Sequence, residues 1–394
     1  MKVLCLHNHY QQKGGEDQSF AAEVAMLRAN GVEVIEYRVH NDEVKQLGTI
    51  RVAGKTFWNS TSYRAITELC RQHRPDVAHF TNTFPLISPA GYYAAKASGV
   101  AVVQSLRNFR LMCVNALFFR DGHVCEDCLG RTVAWPGVLH KCYRDSRAGS
   151  AVVAAMTAAH RFADTWHDQV DLFYSLTEFG RQKYIQGGFP GERIVVKPNF
   201  VYPDPGMGTG DGNYAIFVTR LSPEKGVHTI LKAWETLGAR LPLKVVGDGP
   251  LLPLVQAARE RGLNVEALGS KPLAETYDLI GRATVLVFPS EWYETFGRVA
   301  IEAYAKGTPV VAADIGAIAE VVDDGRTGLR FRPGDATDLV AKVNDLLDAP
   351  QRLASMRDVV RREFETCYSA EQNLHLLLDV YARAIAYSAS RQSA

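Results

Sequence analysis

The chain has 394 residues, 47 % of them apolar and 22 % charged, with 32 Gly and 17 Pro. That is a globular composition, outside the disordered, collagenous and coiled-coil classes, and at about 150 residues per domain it makes two or three domains. Lys and Arg number 44 against 43 Asp and Glu, so no bulk positive field favours nucleic acid.

Short β-branched runs alternate with helical patterns, the signature of βαβ units and parallel sheets. In the first half, strands are predicted near Lys2–Leu6, Glu33–Tyr37, Asp76–Phe80, Val100–Ser105, Leu172–Ser175 and Ile194–Lys197. Helices are predicted near Asp17–Asn30, Ser62–His73, Ala90–Ser98, Ala148–Asp168 and Glu178–Gln186. Residues 202–212 are rich in Gly, Pro and Asp and read as an interdomain linker. A second series follows, with strands near Tyr214–Val218, Leu243–Val246, Val265–Leu268, Val285–Phe288 and Pro309–Ala312. Helices near Val227–Leu237, Leu251–Glu260, Leu273–Ile280 and Phe296–Lys306 separate them, and Ala336 to about Tyr387 is helical throughout. The expected organisation is an N-terminal domain over 1–198, a linker over 199–213, a second domain over 214–367 and a closing helix over 368–394.

Charge divides unevenly along this plan. Residues 1–195 hold 22 basic and 18 acidic side chains, and the remainder 22 and 25. No run reaches the ~18 apolar residues that span a bilayer, and Met1–Leu6 passes into His7-Asn8-His9 without the apolar core of a signal peptide. A cytoplasmic protein is expected, its seven Cys reduced or bound to metal rather than paired in disulfides.

Ligands of parallel sheets bind where strands end and helices begin. After the first strand, Lys13-Gly14-Gly15-Glu16 can bring backbone N–H groups to an anion at a helix start; a plain tight turn is the alternative. After Tyr214–Val218 comes Thr219-Arg220-Leu221-Ser222-Pro223-Glu224-Lys225-Gly226. Two cations at a helix N-terminus oppose the macrodipole, which suits them to a diphosphate held between them; solvated charges with Glu224 as partner are the alternative. After Val285–Phe288, Glu294 precedes a helix that Thr295 can cap, and Glu302 lies about two turns inside it. Along a helix these acids stand about 12 Å apart, too far for a glycosidase pair but suited to two hydroxyl-bearing parts of one ligand.

Arg220…Lys225-Gly226, Gly247-Asp248-Gly249-Pro250, Leu268-Gly269, Pro289-Ser290…Glu294-x-Phe296-Gly297…Glu302-Ala303 and Gly307-x-Pro309-Val310-Val311 together resemble the family-4 glycosyltransferases of GT-B fold. The resemblance implies two Rossmann-like doubly wound domains facing each other across a cleft, with a C-terminal helix crossing back. It implies a retaining transfer from a UDP- or GDP-type sugar, in polysaccharide or glycoconjugate synthesis, with no catalytic cofactor or metal. Arg220 and Lys225 would hold the diphosphate, and Glu302 the ribose. Glu294 and the backbone of Phe296, Gly297, Arg298 and Val299 would hold the sugar and β-phosphate. Gly14 and Gly15 would close over the phosphate, and Leu268 and Gly269 would meet the base. Where many relatives carry a His after the fourth strand, this chain has Arg107, which can stabilise phosphate charge but cannot serve as a base near neutral pH. His7 and His9 are nearby candidates.

The implied acceptor is a glycan or a lipid-linked acceptor, with peripheral association at the inner face of a membrane as a further expectation. A sugar-nucleotide epimerase or phosphorylase of the same fold is the alternative enzyme. Residues 107–147 form an insertion with Cys113, Cys125, Cys128 and Cys142, spaced as for a structural zinc site; the other reading is four packed thiols. That segment also admits a zinc-containing binding module as an alternative of another class.

Overall fold

The computed structural model describes residues 1–12 and 14–392; Lys13, and Ser393 and Ala394 at the end of the expected closing helix, lie outside the described residues. The chain forms two compact units, one from Met1–Phe118, Glu126–Pro198 and the chain from Asn373 on, the other from Phe119–Cys125 and Asn199–Gln372. Each unit is built on a six-stranded sheet.

In the first unit the strands are β1 (Lys2–His9), β2 (Glu33–His40), β3 (Val77–Asn82) and β4 (Ala101–Leu106). A short antiparallel hairpin, β5 (Phe119–Arg120) and β6 (His123–Val124), precedes β7 (Leu172–Ser175) and β8 (Ile194–Val196). The sheet order is β2-β1-β3-β4-β7-β8 with parallel pairing throughout. Val3, Leu4, Val77, Phe80, Val102 and Val103 are fully buried, as expected of strands covered on both faces. Strand β1 runs three residues beyond the sequence reading because its polar end is satisfied internally. Asn8 Nδ2 donates to Asn41 Oδ1 at 2.8 Å, and Asn8 Oδ1 accepts from Leu86 N at 2.8 Å. The helix expected over Ala148–Asp168 is two: Arg147–Phe162, capped by Ser146 Oγ, and Thr165–Asp168, parted at Asp164 with φ +47°. The last helix, Ala370–Gln392, completes this unit: Tyr381 meets His79 at 2.9 Å, and Lys96 donates to Ser388 Oγ at 3.0 Å.

In the second unit the strands are β9 (Ala215–Val218), β10 (Leu243–Val246), β11 (Val265–Gly269), β12 (Val285–Phe288), β13 (Val310–Ala313) and β14 (Gly328–Phe331). Their order is β11-β10-β9-β12-β13-β14, again parallel. The chain moves outward from β9 on one side, then returns to β12 on the other, so β9 and β12 flank the switch point where doubly wound sheets bind ligands. Residues 199–213 contain no helix or strand, yet they are held down: Gly208, Gly210 and Gly212 donate backbone bonds to Lys306, Gly281 and Arg282. Among the described residues no helix is long and apolar enough to cross a membrane.

Candidate functional site

Two loops meet at the switch point of the second sheet. The one after β9 runs to Gly226, which starts the helix Val227–Leu237 without a side-chain cap. Gly226 has φ +70°, and a Cβ there would lie 1.9 Å from the Pro289 carbonyl oxygen, so only glycine allows this approach. The loop after β12 answers it, since Glu291 N donates to Glu224 O at 2.9 Å. Between the loops, Lys225 Nζ donates to Glu294 Oε1. The same oxygen accepts from Ser290 Oγ at 3.1 Å and Trp292 Nε1 at 3.0 Å, and Lys225 lies 4.8 Å over the Trp292 ring. A lysine at a helix start is thus held by a carboxylate instead of by solvent, and both groups remain partly open, at 18 % and 12 % side-chain exposure. Arg220 is exposed and has no ion-pair partner among the described residues.

The helix carrying Glu302 begins later than its sequence suggests. It spans Arg298–Ala305, with Gly297 in its N-cap position at φ +90° and no side-chain cap; the expected Thr295 cap is therefore replaced by glycine geometry. A Cβ at Gly297 would stand 2.7 Å from Ile318 Cδ1, while Phe296 is buried just ahead of it. Glu302 consequently lies about one turn into the helix, not two. It is buried, and Arg298 Nε donates to its Oε1 at 2.9 Å. Burial raises the Glu302 carboxyl above its ordinary range, with Arg298 opposing the rise. With no side-chain cap, the first turn of this helix is of a kind suited to an anion. At the far side of β10, Gly269 O accepts from Gly247 N at 2.9 Å, and Leu268 is half-buried in β11. The structure thus assembles Lys225 and Glu294 with the start of the Arg298–Glu302 helix around one switch point.

The first unit tells a different story about Arg107. Its guanidinium, 7 % exposed, donates to Glu23 Oε2 at 2.9 Å and to Tyr174 OH at 3.0 Å. Lys197, fully buried, donates to the other Glu23 oxygen at 2.8 Å. Burial alone would raise the Glu23 carboxyl, but Arg107 and Lys197 hold it well below the usual carboxylate range. His79 joins through Tyr174 at 3.2 Å, and burial pushes its imidazole down to about 4. Arg107 is therefore bound into a buried charge network, with its charge already matched, rather than held out for phosphate. Nothing in the sequence spacing marks Glu23, His79 or Lys197 as its partners, since they come from three separate segments.

Gly14 forms the N-cap of the helix Gly15–Ala29, and its N–H donates to Asp17 Oδ2 at 3.1 Å. Asp17 Oδ1 also bonds His7 Nε2 at 2.8 Å and His9 Nδ1 at 3.1 Å. These three residues place their ligand atoms within 4.8 Å of one another, but the hydrogen bonds already account for the arrangement. The cysteine segment is packed as thiols. Cys128 is buried with Val114, Ala134, Val153 and Ala154, and Cys142 packs against that cluster. Cys113 Sγ donates to Asn115 Oδ1 at 3.0 Å, and Cys125 is half-buried. The zinc expectation draws no support from this packing.

Comparison with solved structures defines the class first. HepE of Anabaena in complex with UDP has TM-score 0.69 at 18 % identity, covering 97 % of this chain and 100 % of that one. Sucrose-phosphate synthase from Thermosynechococcus elongatus has TM-score 0.71 at 16 % identity, covering 98 % and 99 %. The fold is GT-B. Residues 208–362, most of the second unit, match the family model of glycosyl transferases group 1. The D-inositol 3-phosphate glycosyltransferase of Rhodococcus erythropolis is 34 % identical over 208 residues, 50 % of this chain and 45 % of that protein. The glycogen synthase of Mycobacterium tuberculosis is 38 % identical over 141 residues, 34 % of each. The chain thus spans less than half the length of these two curated relatives.

Proposed function

We propose that this chain transfers a glycosyl group from a nucleoside-diphosphate sugar to a glycan or lipid-linked acceptor, with retention at the anomeric carbon and without a catalytic metal. The observation that carries the reading is the Lys225–Glu294 pair between the two switch-point loops, inside the matched residues 208–362. The donor nucleotide is read as UDP by likeness to the Anabaena structures in complex with UDP and with UDP-glucose.

In this reading the bond from the anomeric carbon to the β-phosphate oxygen breaks, and a bond to the acceptor oxygen forms. The acceptor proton passes to the departing diphosphate. Lys225 and Arg220 stabilise the charge that grows on that leaving group, the form of catalysis in which preorganised cations act most strongly. Glu302 accepts from the ribose hydroxyls, with Arg298 sharing its charge. Glu294 and the N–H groups of Gly297, Arg298 and Val299 hold the sugar and the β-phosphate. Leu268 and Gly269 meet the base, while Gly14 keeps its N–H on Asp17. Arg107 is given a structural role in place of the phosphate contact. Peripheral attachment to a membrane would serve a lipid-linked acceptor. Calorimetric titration with UDP, GDP and UDP-glucose tests the reading: selective binding of one nucleotide and slow hydrolysis of its sugar are expected, and binding of none would refute it.

A further inference from the structure

The first unit contains a pocket that the donor site does not use, at the carboxyl ends of β3 and β4. It is small and open at its mouth, and Thr81, Phe84, Tyr92, Arg110 and Trp166 are among the residues of its walls. Two of its wall residues carry buried polar atoms that the protein leaves unpaired, and a third carries a charge without a carboxylate partner. Thr81 and Trp166 are each 3 % exposed, yet Thr81 Oγ1 and Trp166 Nε1 have no hydrogen-bond partner. Orphaned buried polar atoms are costly and call for a partner. Arg110 donates to the Val114 carbonyl and stacks 4.8 Å over Phe84, but no carboxylate among the described residues pairs with it.

The chemistry of these three groups selects the partner. An indole N–H and a guanidinium can only donate, and a threonine hydroxyl can donate as well. The complementary group is rich in acceptors and has no need of donors. Charge points the same way. Arg107 and Lys197 share Glu23, whereas Arg110 on the pocket wall has no carboxylate partner among the described residues. A neutral sugar hydroxyl would leave that charge unmatched.

We propose that this pocket takes an oxyanion carried by the acceptor, a phosphate or a carboxylate; this rests on the glycosyl-transfer reading and specifies its acceptor. The pocket then selects acceptors by a charged group next to the hydroxyl that is glycosylated. Phe84 and Tyr92 on the same walls offer apolar surface to the rest of the sugar.

The test is binding to the full chain in the presence of saturating UDP, which keeps free anions off the donor loops. Inorganic phosphate, D-glucuronate and methyl glucoside are titrated in turn, followed by calorimetry and by tryptophan fluorescence. At least one anion is expected to bind with one-to-one stoichiometry, and methyl glucoside not to bind. Arg110→Gln should weaken the anion about tenfold or more, the weight of one charge-assisted hydrogen bond. Trp166→Phe and Thr81→Val, which preserve shape, should each weaken it several-fold, and Trp166→Phe should also remove the fluorescence change. Phosphate binding alone assigns a phosphorylated or diphosphate-linked acceptor, and glucuronate binding alone assigns an acidic sugar. The proposal is overturned if neither anion binds, if methyl glucoside binds as well as the anions, or if all three variants bind like the parent. Failure of UDP to bind in the same experiment would strike the donor reading instead, while the dependence on Arg110 would still be measured.

Discussion

Replacing Lys225 by Ala removes the one cation that the structure fixes between the two switch-point loops. Its ammonium is already committed to Glu294 and lies over Trp292, so it is positioned before any ligand arrives. Loss of one charged hydrogen bond to a diphosphate is worth about 1.5–3 kcal/mol, a rise in Kd of roughly 10- to 150-fold. A second effect adds to the first. Without Lys225, Glu294 keeps only the neutral donors Ser290 and Trp292, and its negative charge then faces the incoming phosphates. Glu294→Gln separates the two contributions, because it frees Lys225 from its internal partner. That variant should bind UDP as well as the parent or better, while donor hydrolysis falls by about tenfold or more. Calorimetric titration with UDP beside a hydrolysis assay reads both quantities. Parent-like UDP affinity in Lys225→Ala would refute the reasoning, and equal loss of UDP affinity in both variants would refute the division of roles.

The remaining expectations concern the scaffold. Arg107→Met should destabilise the first unit by about 3–5 kcal/mol, since it strips one partner from a buried pair, yet leave UDP affinity unchanged; a loss of UDP binding in a folded variant would restore Arg107 to the donor site. His79, pushed down to about 4, is neutral in the native chain where the unfolded chain would be protonated. Stability should therefore fall as pH drops from 6.5 towards 4, by about 3 kcal/mol in all, and urea unfolding of His79→Gln across that window should show a flatter profile. Glu23, whose carboxyl is depressed, adds a further loss at lower pH as it is forced to protonate. Gly226→Ala should cost about 1–3 kcal/mol in backbone strain beyond the clash with Pro289, lowering the thermal midpoint and UDP affinity together; thermal shift with and without UDP measures it.

Much of the second unit was legible because its signals are local. The helix Val227–Leu237 and the strands Leu243–Val246 and Val285–Phe288 have the same bounds in sequence and structure, since apolar patterning and a flanking glycine or proline speak for each without outside help. Strand β14, Gly-Leu-Arg-Phe, was missed because a glycine and an arginine in four residues look like a loop. There the sheet edge supplies the order, through pairing with β13. Lys225 and Glu294 were readable singly as loop charges, but not as a pair, because the pairing depends on two loops meeting at the switch point. The surroundings of Arg107 were hidden for the same reason: Glu23 and Lys197 lie 84 and 90 residues from it along the chain, and only the folded sheet brings them to its side. The oxyanion pocket left no sequence signal at all, since an orphaned indole N–H is defined by what surrounds it.

The position of the helix Ala370–Gln392 bears on how the protein comes into being during synthesis. Tyr381 and Ser388 supply bonds to His79 and Lys96, so a sheet made early is completed by a segment of the chain made some three hundred residues later. Until that segment has left the ribosome, the earlier half must keep a face of its core open. A nascent chain stalled near residue 370 would therefore be expected to carry a first unit that is unsealed, sticky and dependent on chaperones.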